Sequence, residues 1–198
     1  TVITTRILRV GRSAGLVGVD IYSDGALAAN MSFAFGAGRP TTASQLGDGT
    51  TAPERAAMPS APHMPPPMPQ FLNNMEIKFT GEGVPASGAK DRFMSAWVRL
   101  REDTPAAPDA KLLLIADMPP PVVMSHYKVP INASSMTWAL EFVESPASIP
   151  DAWFFLRYEM LAGGDGYTQQ RGMIYGEDGR LLAVSQQTMT YFEPESHR

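Results

Sequence analysis

Few side chains in this sequence could carry out chemistry, and most familiar sets are excluded by residue type or spacing. Cysteine is absent, so there is no thiolate nucleophile, no Cys-ligated metal and no disulfide framework. His63, His126 and His197 are scattered and do not fall at metal-ligand spacing. No serine stands in a GxSxG elbow, which disfavours a serine hydrolase. Gly163, Gly164 and Gly166 do not follow phosphate-loop spacing and read as a strand corner. Nothing in these patterns calls for a cofactor or a metal. Asp117 ends the apolar run KLLLIAD, just ahead of three prolines. A carboxylate at a helix C-terminus opposes the macrodipole, so either it is an ordinary helix-end acid or it has another reason to be there. Gln187 lies within a strand-like run and by itself reads as a cross-strand hydrogen-bonding residue.

The elements that must position these residues follow from periodicity. Trp153 to Phe192 contains three strand-like runs, WFFLRYEMLAGG, GYTQQRGMIYG and RLLAVSQQTMTYF. The first ends at Gly163-Gly164, and Glu177-Asp178-Gly179 joins the other two as a hairpin turn. In the last run Leu181, Ala183, Ser185, Gln187, Met189 and Tyr191 share one face. Upstream, Asn74–Thr80, Asp91–Glu102 and Ile131–Val143 read as strands. Between them, Thr104 and Pro105 open a helix over Ala106–Met118, as N-cap and first-turn residues. Pro119-Pro120-Pro121 stops it, and Val122–Tyr127 is a short second helical segment. The order is strand, strand, helix, then four strands, an α+β layout with one helix wrapped by an antiparallel sheet.

The layout of the last three runs occurs once more at the start. Thr4–Val10, AGLVGVDIY and ALAANMSFAF are separated by Gly11-Arg12-Ser13 and by Ser23-Asp24-Gly25. A glycine corner, a strand ending in Tyr, an Asp-Gly turn and a Leu-Ala pair recur in order, which suggests two copies of one unit. Residues 36–70, rich in Gly, Pro, Ser and Thr and without apolar period, read as a connection with an extended HMPPPMP segment that nothing charged or aromatic anchors.

The 198 residues suffice for one large domain or two small ones sharing a core. A net charge of −4 with no basic run argues against nucleic acid as a partner. No run is long enough for a membrane-spanning helix, and no signal peptide is evident. Absence of cysteine fits a reducing compartment, and a cytoplasmic location is the expectation. The chain begins without Met and inside a strand pattern, as expected of a fragment or processed product.

Four stretches together resemble the double-hotdog acyl-CoA thioesterases, similar to bacterial acyl-CoA thioesterase II: KLLLIADMPPPVV, SSMTWALEF, WFFLRYEMLAGGDGYTQQRGMIYGEDGRLLAVSQQ and RVGRSAGLVGVDIYSDGALAANMSFAFG. The first is similar to that family's central helix, the second to the strand after it, the third to the last three strands, and the fourth to the last strands of the first hotdog. The resemblance implies residues 1–36 as C-terminal strands of a first hotdog lacking its N-terminal strand and helix, 37–72 as linker and 73–193 as a second hotdog. The internal repeat and the single strong helix imply two units side by side in one continuous antiparallel sheet, and a homo-oligomer is the expected assembly. Val17, Val19 and Ile21 present an apolar strand face that an N-terminal segment or a second chain would cover.

The resemblance also implies chemistry. The family hydrolyses acyl-CoA to fatty acid and CoA with water activated by an Asp on the helix, a hydroxyl on the next strand and a Gln on the last strand. A carboxylate can orient water onto an electrophilic thioester carbonyl if a donor stabilises the oxyanion. Asp117 and Gln187 match two of these roles. For the hydroxyl, matching Glu141-Phe142 gives Ser135, with Ser134 beside it, whereas counting back from Trp138 gives Asn132. Met75, Phe79, Met94, Trp97, Leu113, Met136, Phe155 and Met189 either line an acyl tunnel or form plain core. The alternative is a catalytically weak acyl-binding or structural hotdog protein.

Overall fold

The computed structural model describes residues 1–42, 47, 49–66, 68–102, 106–145, 148–149 and 153–193. Thr104, Pro105 and His197 lie outside them. The chain divides into two compact units, residues 1–45 and 46–198.

The first unit is an antiparallel meander of β1 (Val2–Val10), β2 (Ala14–Ser23) and β3 (Ala26–Gly36). Asp24 and Gly25 both take positive φ, 51° and 80°, forming the two-residue turn whose twist matches that of the flanking strands. Asp20, nearly buried in β2, accepts a 2.6 Å hydrogen bond from Asn30 Nδ2 and pairs with Arg6 at 2.9 Å. β1 is exposed along its length, and β3 nearly so.

The second unit is an antiparallel six-stranded sheet. Its strands are β4 (Met75–Phe79), β5 (Phe93–Leu100), β6 (Asn132–Phe142), β7 (Phe154–Gly164), β8 (Tyr167–Gly176) and β9 (Leu181–Phe192). They lie in the order β4-β5-β7-β8-β9-β6. The expected strand and helix sequence is therefore present, but the single continuous sheet is not: the three-stranded and six-stranded ladders are separate among the described residues. Among the described residues every registered strand pair joins strands of the same unit.

Helix α1 (Pro108–Asp117) begins later than Ala106, with Pro108 in its first turn and Ala107 at the N-cap offering no side-chain cap. Its residues Leu112, Ile115 and Ala116 pack on one sheet face with Met75, Met94, Val98, Phe154, Leu156, Tyr158 and Ile174. After the prolines, Val122–His126 forms a short 3-10 helix, as its apolar character and the preceding Pro break suggest. The reversal after β7 lies at Asp165-Gly166, with φ 52° and 79°, and not at the Gly163-Gly164 corner, which stays in the strand.

The opposite sheet face carries Trp97, Trp153, Phe155, Tyr175 and Leu181. It is covered by part of the connecting stretch, with Ala52 and Met58 packed against it. Trp97 Nε1 donates to Pro53 O at 2.9 Å, and Lys78 Nζ donates to Met58 O at 3.0 Å. Ala61 N donates to Ile77 O at 2.7 Å on edge strand β4. The Arg55 guanidinium stands 4.7 Å from the Trp153 ring centre and pairs with Glu177 at 2.6 Å. Arg99 lies over the same ring at 4.8 Å. A central sheet buried on both faces needs two covers, and the strap around Arg55 serves as the second.

Candidate functional site

β9 alternates buried and less buried positions, which puts Ser185 and Gln187 on the inward face and leaves both essentially dry. Opposite them on β8, the alternation buries Thr168 and Gln170. Gln170 and Gln187 are directly paired across the ladder. A buried amide must find partners, and these do. Val122 N donates to Gln170 Oε1 at 3.0 Å, Gln170 Nε2 to Gln187 Oε1 at 3.4 Å, and Gln187 Nε2 to Ser135 Oγ at 2.8 Å.

Ser135 reaches Gln187 because β6 is bulged. The register passes from Ser135 opposite Met189 to Thr137 opposite Thr188, so Met136 is the extra residue and stands exposed. An extra residue reverses the side-chain alternation. Ile131 and Ala133 therefore pack inward before the bulge, and Trp138 and Leu140 after it. Ser134 pairs with Thr190, and Asn132, opposite Phe192, is exposed at the strand end.

Asp117 is the last residue of α1 and is exposed among the described residues. Burial of part of its surroundings nevertheless raises its carboxyl above the ordinary value. No direct hydrogen bond joins it to Gln187 or Ser135 among the described residues. The helix end that carries it is tied to the sheet by Tyr158, whose hydroxyl donates to Ala116 O at 2.8 Å. Gly172 lies directly opposite Tyr158, and a Cβ at Gly172 would overlap the phenol ring, so glycine there lets the ring lie flat on β8. Burial, and the Asp117 charge, raise the Tyr158 phenol, so it serves as a neutral donor. Trp138 Nε1 donates to Ser185 Oγ at 2.9 Å beside it.

Sequence reasoning missed Gln170, Ser185, Trp138 and Tyr158. The available signal was the doublet Gln169-Gln170 facing Gln186-Gln187 across the Glu177-Asp178-Gly179 hairpin, which places one glutamine of each doublet inward. The expected tunnel lining is corrected in part. Met75 and Met94 are core beneath the helix, but Trp97 and Phe155 lie on the opposite sheet face, and Met136 points outward at the bulge. Alternation explains this, since Trp97 cannot share a face with its neighbours Ala96 and Val98. Two open surface cavities contain none of Asp117, Ser135 and Gln187. One, about 340 Å³, is lined by residues that include Asp165, Tyr167 and Tyr191. The other, about 460 Å³, includes Thr50, Ser95 and Arg157. Among the described residues no three His, Asp or Glu side chains cluster as a metal would require. None of the described helices is long and apolar enough to cross a membrane.

The fold has solved counterparts. A conserved hot dog fold protein of unknown function from Alicyclobacillus acidocaldarius superposes with a TM-score of 0.81, at 20% identity, over 97% of this chain and 72% of that one. An acyl-CoA thioesterase II from Mycobacterium marinum superposes with a TM-score of 0.69, at 17% identity, over 98% of this chain and 74% of that one. These likenesses identify an α+β hotdog fold. No curated protein matches the chain in sequence. The family profile of the acyl-CoA thioesterase C-terminal domain matches residues 48–191, which span α1, the bulged β6 and the glutamine-bearing β8 and β9. By that match the chain belongs to the acyl-CoA thioesterase family.

Proposed function

We propose that the protein hydrolyses acyl-CoA thioesters to free acid and CoA, with water as the nucleophile. The observation that carries this reading is the 2.8 Å contact from the buried Gln187 carboxamide to the Ser135 hydroxyl. In this reading Asp117 draws a proton from the attacking water, and its raised pKa brings it closer to the range of a useful general base. Ser135 and Gln187 orient the water and stabilise charge on the thioester carbonyl oxygen; collapse of the tetrahedral adduct re-forms the carbonyl, breaks the C–S bond and releases the CoA sulfur as thiolate, which takes up a proton. A second reading, an acyl-binding hotdog with weak turnover, draws on the lack of a direct hydrogen bond between Asp117 and the other two.

We further propose the double-hotdog organisation: residues 1–36 as closing strands of a first hotdog, 37–72 as connection and 73–193 as the second hotdog. The exposed Val2, Ile3, Ile7, Val10 and Phe35 support it, because an apolar sheet surface of this kind is normally covered. The cover would be a preceding polypeptide or a second copy of the chain, in a homo-oligomer.

The test is thiol release from a panel of acyl-CoA chain lengths by the native protein and by Asp117→Asn. Loss of the base should lower kcat roughly a hundredfold or more. Equal turnover by a folded Asp117→Asn protein would remove Asp117 from the mechanism. A native protein that binds acyl-CoA without cleaving it would establish the second reading.

A further inference from the structure

We propose that Gln170 is a positioning residue that decides which end of the Gln187 carboxamide faces Ser135. Its link to catalysis rests on the thioesterase reading above, whereas the orientation rests on geometry alone.

The argument starts from a group that has no choice. A backbone N–H can only donate, and Val122 N donates to Gln170 Oε1 at 3.0 Å. That leaves Gln170 Nε2 facing Gln187, where it donates to Oε1 at 3.4 Å. Gln187 must then turn its Nε2 toward Ser135, and it donates to Oγ at 2.8 Å. Because Ser135 accepts here, its own proton is free to point away from Gln187. Each orientation is set by the one before it. The source is held in place by the Pro119-Pro120-Pro121 break and by the 3-10 turn in which Met124 N donates to Pro121 O at 2.9 Å.

The two ends of a carboxamide are almost the same shape, so packing alone does not choose between them. Were Gln187 reversed, its carbonyl would face Ser135 and draw the serine proton inward. An acceptor would then stand where a donor is needed by the developing oxyanion. Gln170 is fully buried and directly opposite Gln187, so no water competes for the contact. Its role is to carry the direction of one fixed amide two side chains further.

Two substitutions separate this role from plain packing. Gln170→Met keeps the length but has no polarity. It should let Gln187 sample both orientations and lower kcat about fivefold or more, with KM changed less than about twofold. Gln170→Glu gives a sharper result. When protonated, its carbonyl accepts from Val122 and its O–H donates to Gln187, which preserves the native direction. When ionised it offers only acceptors, which reverses Gln187. Its kcat should therefore approach the native value at acidic pH and fall about tenfold further as pH rises through a pKa raised by burial. Thermal melts at each pH confirm that the variant stays folded. A uniform loss at every pH would overturn the proposal, as would a folded Gln170→Met protein with native kcat.

An NMR arm decides the orientation whether or not the protein is a thioesterase. Nuclear Overhauser contacts should connect the Gln187 carboxamide protons to the Ser135 β-protons in the native protein, and should weaken in ionised Gln170→Glu. No such change would overturn the proposal. The change without any thioester cleavage by the native protein would uphold the orientation and overturn the thioesterase reading instead.

Discussion

The meanders β1-β2-β3 and β7-β8-β9 share a plan: three antiparallel strands, a two-residue Asp-Gly turn with both residues at positive φ, and a glycine in the middle of the central strand. They differ in what lies against them. The second meander has α1 on one face and the strap around Arg55 on the other, and its inward positions are dry. The first leaves Ile7 and Val10 largely in water, and its one nearly buried charge, Asp20, is satisfied within the sheet by Arg6 and Asn30. A meander's turns and pairing are local properties; a dry interior that can hold oriented amides requires the layers on either side.

Core truncation should expose this difference most strongly. Leu112→Ala opens a hole where α1 meets the sheet and should cost about 2–5 kcal/mol of unfolding free energy. Ile7→Ala, at an exposed site of β1, should stay within about 0.5 kcal/mol. Denaturant titration of both variants checks the contrast, and equal costs would mean that β1 is covered in solution.

The paired central glycines give a smaller effect of the same sign. Gly172→Ala drives a methyl group into the Tyr158 ring and should cost about 1–3 kcal/mol, loosening the helix end that carries Asp117. At Gly18 the added methyl meets only the flexible tip of Leu8 at 3.2 Å, so Gly18→Ala should be close to neutral. Comparison of the two melting temperatures decides; a larger loss at Gly18 would break the comparison.

Within the first meander, Asn30→Ala removes a donor from Asp20 and should cost about 1 kcal/mol, with Arg6 still in place. The loss should persist in high salt, since the missing contact is a hydrogen bond to a nearly buried carboxylate and not a screened surface pair. A cost that vanishes in salt would count against it.

The smallest effect concerns Asp117 and has an unusual sign. Its pKa is raised in the folded protein because partial burial disfavours the charged form. A carboxylate shifted upward destabilises the fold above its folded pKa, and this penalty disappears below its unfolded value. Asp117→Asn should therefore melt slightly higher than the native protein at neutral pH, with the gap closing as pH falls below about 4. The gain is small because the residue is solvent-exposed. A lower melting temperature at neutral pH would show that the carboxylate has a stabilising partner. Higher stability with lower activity is the pattern expected of a residue retained for function.

What the sequence determined by itself is local. Asp24-Gly25 and the glycine at 179 marked reversals because only certain residues tolerate positive φ, and three prolines marked the end of α1 because they cannot continue its hydrogen bonds. The order of strands and helix followed from that punctuation together with alternation. The tertiary structure decided everything that depends on what lies opposite. The Met136 bulge reverses the alternation in β6 and brings Ser135, not its neighbour, to Gln187; no periodicity count registers an extra residue that only the partner strand reveals. The segment around Arg55 has no apolar period, yet its carbonyls and guanidinium find Trp97, Lys78 and Trp153. Gln170 went unremarked in the sequence, and only the ladder sets it against Gln187. A hydrogen bond between side chains far apart in sequence is a property of register, and register is fixed only when the whole sheet closes on its two covers.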